Sequence, residues 1–431
     1  MERTADLIER DYAALIRLVV REGGRTVPDA LAEAREAVDY CRYFAARAKA
    51  DLAKDEELPG PTGERNTLSL HGRGVFACVS PWNFPLAIFT GQVAAALAAG
   101  NAVIAKPAQQ TPLAAAAAVR LMHEAGVPDN VLHLLPGSGE RVGVPLVRDE
   151  RIGGIALTGS VATAQAINRM LAGRNGPIVP LIAETGGQNV MIADSSALAE
   201  QVVADVAASA FNSAGQRCSA LRVLFVQGDV ADRIVGMLAG AMAELVVGDP
   251  AFIATDVGPV IDAAALEKLS RHAARMTREG TRIFETPLPA DASKGTFFAP
   301  LAFEIPSLSL LTDEVFGPIL HVIRFEAARL DEVIAAVNAT GFGLTLGIHS
   351  RIEATIEHIR RRARVGNVYV NRNMIGAVVG AQPFGGEGLS GTGPKTGGPN
   401  YLPRFAIERT VSVNTAATGG NAALLSLEEG D

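Results

Sequence analysis

Cysteine is scarce in this chain. Cys41, Cys78 and Cys218 are the three that occur among 431 residues, too few and too scattered for a disulfide framework or a zinc-ligand spacing, which suits a reducing compartment. Long apolar runs are missing as well: stretches such as Ala114–Val119 are alanine-rich and fall far short of the roughly 20 residues that cross a bilayer. The opening Met1-Glu2-Arg3-Thr4-Ala5-Asp6 is polar and acidic and lacks the apolar core of a secretory signal. A strong excess of one charge sign is absent too. The net charge is −7, and the basic run Arg360–Arg362 is short and follows Glu353 and Glu357, as on a solvated helix face. These absences lead us to expect a soluble cytoplasmic protein with no transmembrane segment, no nucleic-acid partner and no metal site.

What is present is alternation. Residues 6–54 carry two helical patterns split by Gly23-Gly24, the second through Ala30, Ala34, Ala37, Val38, Cys41 and Phe44. The segment Leu58–Gly63 ends them, and an extended excursion follows through Leu68 and Leu70. From Gly74 short apolar strands alternate with alanine-rich helices: strands at Val75–Val79, Ala102–Ala105, Val131–Leu135, Ile152–Leu157 and Ile178–Ala183, with helices between. A second series holds strands at Val190–Ala193, Arg222–Val226 and Val368–Val370, with helices at Ala197–Phe211 and Val230–Val246. The pattern predicts an α/β protein of two tandem units, each with a parallel sheet that binds ligands at the carboxyl ends of its strands. Residues 401–415 alternate as a strand or hairpin able to pair with another chain, and 419–431 read as a loose end.

A lone cysteine in a chain of this size is more often a buried, inert residue than a nucleophile. Cys218 departs from that default because it follows a helix and sits in Gly215-Gln-Arg-Cys218-Ser219, where Arg217 is expected to favour the thiolate. A thiolate nucleophile needs a polarised electrophile and then a base. Glu184 closes an apolar strand and precedes Thr185-Gly-Gly-Gln-Asn189, which offers a carboxylate at a strand end; the plain alternative is a surface glutamate. Asn83, between a strand and a helix, offers an amide donor to an oxyanion, a contact worth roughly 3 kcal/mol of barrier; the plain alternative is a helix N-cap.

The strings Pro81-Trp-Asn-Phe-Pro85, Lys106-Pro107, Leu157-Thr-Gly-Ser160, Glu184-Thr-Gly-Gly187, Gly215-Gln-Arg-Cys218, Glu314-Val-Phe-Gly-Pro318 and Pro383-Phe-Gly-Gly386 stand in the order and at the spacings of the aldehyde dehydrogenase superfamily. The chain resembles that superfamily. The resemblance implies a Rossmann-like NAD-binding domain (1–55 and 73–186), an α/β catalytic domain (187–385), a small β oligomerisation flap with a C-terminal return (56–72 and 386–415) and a tail (416–431). It makes Cys218 the nucleophile, Glu184 the general base and Asn83, with the Cys218 backbone N–H, the oxyanion hole. Lys106, Gln109, Gly159, Ser160, Glu314, Phe316 and Trp82 are implied at the cofactor. A Gly-x-Gly-x-x-Gly turn is lacking, and Gln109 stands where many NAD-using relatives carry an acid, so NAD is expected and NADP remains open.

Within the superfamily, Arg217-Cys-Ser-Ala220, Asn371–Ala377 and Gly391–Pro399 resemble the L-glutamate-γ-semialdehyde (pyrroline-5-carboxylate) dehydrogenase domain of bifunctional proline utilization A. That likeness implies oxidation of glutamate-γ-semialdehyde to glutamate. Ser219, Gly376 and Ala377 would receive the α-carboxylate, and Phe84 and Phe384 would flank the aliphatic part; an ordinary turn and a core aromatic are the plain alternatives for the Gly376-Ala377 pair and Phe384. It further implies a homodimer, a possible proline dehydrogenase domain or partner, and roughly a hundred more residues ahead of Met1, so that the chain reads as N-terminally short. The competing readings are a dehydrogenase for another short acidic semialdehyde and a non-catalytic assembly module; a cysteine hydrolase is disfavoured because no histidine stands in a recognisable motif near Cys218.

Overall fold

The strand and helix alternation folds into two mainly parallel sheets and a separate antiparallel ribbon in a computed structural model that describes residues 1–418. The loose end expected at 419–431 lies outside the described residues. The first sheet has five parallel strands in the order Leu132–Leu134, Ala102–Lys106, Val75–Val79, Ile152–Thr158 and Leu181–Glu184. The second has seven, in the order Thr281–Glu285, Leu301–Glu304, Ile319–Phe325, Val223–Gln227, Val190–Ala193, Thr345–His349 and Asn367–Val370, with the first strand antiparallel. Its central strands, Val190–Ala193, Val223–Gln227 and Thr345–His349, are buried at every residue. Burial on both faces is why Val190–Ala193 and Val223–Val226 read as continuous apolar runs rather than alternating ones.

A long helix, Val27–Asp51, opens with Pro28 in its first turn, where the missing N–H costs nothing. It packs Ala30, Ala34, Val38 and Phe44 into the core that also holds Phe89 and Val93 of the helix Ala87–Ala98. The ribbon pairs Glu64–Gly72 antiparallel with Glu56–Leu58 on one side and Ala406–Asn414 on the other. It leaves Ile407, Val411 and Val413 exposed.

Three expectations change. The region before residue 54 holds three helices, not two: the first pattern breaks at Asp11, whose ψ of 17° leaves the helix while its carboxylate takes the Arg10 guanidinium at 2.8 and 2.9 Å. The strand expected at Ile178–Ala183 runs Leu181–Glu184, and Ile178 is fully exposed. Pro177 and Pro180 have no N–H for a ladder, so pairing begins after them, and Glu184 becomes the last residue of its strand. The second sheet is also larger than the alternation predicts, because Thr281–Glu285, Leu301–Glu304, Ile319–Phe325 and Thr345–His349 join it.

Candidate active site

Strand ends deliver the site. In the first sheet the carboxyl ends of Val75–Val79, Ala102–Lys106, Ile152–Thr158 and Leu181–Glu184 lead to the Asn83 segment, Lys106, Gly159-Ser160 and Glu184. In the second sheet the residues arrive before their strands: Cys218 precedes Val223–Gln227, and Glu314 and Phe316 precede Ile319–Phe325. Cys218, Glu184, Ser219, Gly376, Ala377, Phe84 and Phe384 line one cavity of about 290 Å3. A larger cavity of about 640 Å3, between the helix Val161–Ala172 and residues 388–392, does not include Cys218.

Cys218 sits on a bent loop. The helix Ala199–Phe211 ends in Asn212–Gly215, where Ser213, Ala214 and Gly215 take φ of 54°, 52° and 64°. Left-handed non-glycine residues cost on the order of 1–3 kcal/mol each and need surroundings that hold them. Arg222 supplies the hold: fully buried, it donates to the carbonyls of Gly215 at 2.6 Å and Arg217 at 3.0 Å. Asn189 adds bonds to the carbonyls of Cys218 at 2.6 Å and Ala220 at 2.9 Å. At Gly215 a Cβ would lie 2.2 Å from the Gly317 carbonyl oxygen, so only glycine fits.

The Cys218 thiol is half-buried and pushed up to about 12, first by burial and then by the charges of Glu184 and Glu314. Arg217 does pull towards the thiolate, but burial, Glu184 and Glu314 outweigh it. Its guanidinium donates to Asp29 at 2.6 Å and to Ser213 Oγ at 3.0 Å, and its pull on the sulfur is the weakest of the five influences. Glu184 is buried, not a surface glutamate, and burial holds its carboxyl well above the usual range despite a Gly386 N–H and the nearby Lys395. Its Oε2 is buried without a hydrogen-bond partner. Gly385 makes room for it, since a Cβ there would stand 2.6 Å from Glu184 Oε1.

Asn83 is not an N-cap: the helix begins at Ala87 with Leu86 before it. Instead Asn83 Nδ2 donates to the Gln216 carbonyl at 3.0 Å, two residues before Cys218, while its own carbonyl accepts from Arg25. Phe84 packs its ring under the Arg25 guanidinium at 4.4 Å and Arg217 at 5.6 Å. Ser219 is buried and donates its backbone N–H to the Cys218 sulfur. Gly376 takes a left-handed φ of 85° with open space where a Cβ would stand. Phe384 is bridged to Thr396 by backbone bonds of 3.0 and 2.8 Å.

The expected cofactor residues fall into two groups. Trp82, Glu314 and Phe316 line a second cavity of about 240 Å3. There the Trp82 and Phe316 rings meet edge to face at 5.5 Å, and Arg222 donates to Glu314 at 3.2 Å while lying 5.1 Å from the Phe316 ring centre. The Glu314 carboxylate rests on Gly186, where a Cβ would stand 1.8 Å from Oε2. In the other group, buried Lys106 donates to the Pro107 carbonyl at 3.0 Å and has no carboxylate partner among the described residues. Ser160 caps Val161–Ala172 by accepting the Thr163 N–H at 3.2 Å, and Gly159 donates to the Glu184 carbonyl at 3.0 Å. Gln109 is exposed in the turn after Pro107 and lines neither of the two smaller cavities.

Sequence reasoning missed three contributors. Arg222 reads as the start of an apolar strand, and Asn189 as part of a glycine-rich turn. The third is a polar face of Val27–Asp51: Asp29, Glu33, Glu36 and Tyr40 line the cavity wall opposite Cys218. Their spacing of four, three and four is a helical period, a signal masked by attention to the apolar residues between them. Among the described residues no group of three or more His, Cys, Asp or Glu could hold a metal, and no helix is long and apolar enough to cross a membrane.

The aldehyde dehydrogenase family model matches residues 1–411. The chain is 53% identical over 417 residues to the bifunctional protein PutA of Klebsiella aerogenes, covering 95% of this chain and 31% of that one. It thus spans about a third of the length of that relative. It is 36% identical over 420 residues to the 1-pyrroline-5-carboxylate dehydrogenase of Geobacillus thermodenitrificans, covering 95% and 80%. The structure of 1-pyrroline-5-carboxylate dehydrogenase from Thermus with bound NAD matches with a TM-score of 0.90 at 35% identity, covering 96% of this chain and 80% of that one. With the family model matching residues 1–411, the chain belongs to the aldehyde dehydrogenase family.

Proposed function

We propose that the chain oxidises L-glutamate-γ-semialdehyde to L-glutamate with NAD, through a thiohemiacetal and then a thioester on Cys218. The observation that carries this is the single cavity whose walls bring together Cys218, the buried Glu184 carboxylate and the Ser219, Gly376 and Ala377 backbone. Two aromatic rings in its wall, Phe84 and Phe384, suit a short aliphatic chain. Its volume of about 290 Å3 is at the small end for a ligand pocket.

In this reading the Cys218 thiol gives up its proton and attacks the aldehyde carbon. That proton passes to solvent water. Asn83 Nδ2 and the Cys218 N–H hold the oxygen of the adduct. When bound, NAD supplies the hydride acceptor that turns this adduct into a thioester. Glu184 then takes a proton from water as hydroxide adds to the thioester, the C–S bond breaks to release the acid, and the proton on Glu184 returns to the Cys218 sulfur.

The residues present fit NAD. Lys106 has ammonium protons beyond its one carbonyl bond, suited to ribose hydroxyls; the helix start at Ser160 and Gly159 suits phosphate. Glu314, with Phe316 and Trp82 beside it, offers a carboxylate to the other ribose, and Gln109 is the neutral neighbour of the Lys106 end. The PutA and pyrroline-5-carboxylate dehydrogenase names of the relatives support the substrate, and the longer, bifunctional relative supports a proline-oxidising domain or partner as its source. The exposed Ile407, Val411 and Val413 of the ribbon support a dimer formed through it.

The test is steady-state NADH formation with glutamate-γ-semialdehyde beside an uncharged aldehyde of equal length. The reading expects the semialdehyde to be preferred, and Ser219→Ala to penalise it far more than the uncharged aldehyde. Equal efficiency for both aldehydes, or no NADH from either, contradicts it.

A further inference from the structure

The loop that carries Gly376 and Ala377 has a long way to travel. It leaves the carboxyl end of Asn367–Val370, whereas Cys218 stands before the amino end of Val223–Gln227 in the same sheet, with all of these strands parallel. The loop must therefore run back along the sheet to reach the cavity. Nothing in Asn371–Ala377 itself, an irregular segment of polar and apolar residues with Gly376 at a left-handed φ, dictates that path.

The helix Ala199–Phe211 does. It runs from the carboxyl edge of the sheet to the Cys218 loop, and three of its side chains spaced four apart meet the loop backbone in order. Gln201 Nε2 donates to the Asn371 carbonyl at 2.6 Å. Asp205 accepts the Asn373 N–H. Ser209 Oγ, fully buried, accepts the Met374 N–H at 3.1 Å. Eight residues of helix rise about 12 Å, so the three contacts guide the loop over most of the sheet's depth. Ser209 also joins the two halves of the cavity, because its carbonyl accepts the Leu221 N–H at 2.9 Å, three residues past Cys218.

His349 completes the rail. Its ring donates to the Arg372 carbonyl, between the Asn371 and Asn373 contacts, and its Nε2 faces Asp205 Oδ2 at 3.4 Å. Both of those atoms are buried without a hydrogen-bond partner. The start of the loop is fixed separately: Asn371 takes φ of 51° and exchanges bonds of 3.0 and 2.9 Å with the Ser350 backbone. At the far end the Tyr369 hydroxyl reaches the Gly376 carbonyl at 3.5 Å.

We propose that Asp205, with His349 behind it and Gln201 and Ser209 on either side, is a positioning residue that sets where Gly376 and Ala377 stand relative to Cys218, and thereby the preference for a carboxylated aldehyde. The kinetic part rests on the proposed function above; the placement of the loop does not. An asparagine at 205 keeps the bond from Asn373 N–H through its oxygen and gives His349 Nε2 a donor through its amide, so it preserves the rail without charge. An alanine removes both.

The test uses the full chain with Asp205→Ala, Asp205→Asn and Ser209→Ala. Hydrogen exchange of the free protein over 371–378 is expected to quicken in Asp205→Ala and Ser209→Ala but not in Asp205→Asn. In NADH assays the two alanine variants are expected to raise KM for glutamate-γ-semialdehyde about tenfold or more, as for lost bonds to a charged group, with kcat within about twofold. The uncharged aldehyde of equal length is expected to keep its KM, and Asp205→Asn to restore wild-type values for both. Unchanged exchange in Asp205→Ala overturns the proposal, as does an equal KM rise for both aldehydes. If the wild-type protein oxidises neither aldehyde, the proposed function falls, and the exchange result alone decides whether the rail holds the loop.

Discussion

Arg217 stands next to Cys218 but directs its guanidinium to Asp29, 2.6 Å away, with both side chains almost buried. The helix Val27–Asp51 is thereby pinned to the Cys218 loop. Removing one partner of such a pair leaves an uncompensated buried charge, so Asp29→Ala is expected to destabilise the protein by about 3–5 kcal/mol, read from urea unfolding. A loss below about 1 kcal/mol would place the pair among exposed ion pairs and refute its buried role.

The raised thiol makes a pH prediction. A pKa pushed up means the neutral thiol is favoured, so the thiolate fraction keeps growing as pH rises towards about 12. Iodoacetamide alkylation of Cys218 in the free protein, followed by peptide mapping, should climb about tenfold per pH unit through pH 8–10. A plateau near the ordinary value of about 8.5 would show an unshifted thiol.

Gly385→Ala places a Cβ 2.6 Å from Glu184 Oε1. The carboxylate is the far end of a side chain and can swing away, so the fold is expected to survive while hydrolysis suffers. Rapid-mixing traces should show a burst of NADH of wild-type rate followed by turnover reduced about a hundredfold, the scale of a lost general base. A proportional loss of burst and turnover would mean that the substitution disturbs the cysteine instead.

Gly186→Ala does the same to Glu314, whose Oε2 would lie 1.8 Å from the new Cβ. Trp82 is the chain's one tryptophan and sits 5.5 Å from Phe316 in that cavity, so its fluorescence should quench saturably as NADH is added. We expect Gly186→Ala to weaken that titration about tenfold, as for lost bonds to a charged group. An unchanged titration would remove Glu314 from the cofactor.

Much of the site was legible because its chemistry sits in short strings at strand ends, where glycines and prolines punctuate the pattern: Cys218, Glu184 and Asn83 each stand in such a string. The supporting residues were not. Arg222 looks like the polar edge of an apolar run, and its role depends on carbonyls at 215 and 217 that turn inward only once the loop bends. Asp205 and Ser209 look like ordinary breaks in an alanine-rich helix until a loop more than 160 residues later is laid across them. Fold legibility followed the same division. Strands with helices between them declared themselves, while Leu301–Glu304 follows Pro300 and ends in a charge, and Thr345–His349 sets Thr, Gly and His among two apolar residues, so neither reads as an apolar run. The misplaced strand at Ile178 shows the limit of counting apolar residues without asking which have an N–H to give.

The most direct test of the account is the mass of the Cys218 peptide after Glu184→Ala protein is mixed with glutamate-γ-semialdehyde and NAD and quenched in acid. The account predicts one equivalent of NADH per active chain and a glutamyl group in thioester linkage on Cys218, both absent in Cys218→Ala. NADH formed without that adduct, or an adduct on another residue, would contradict it.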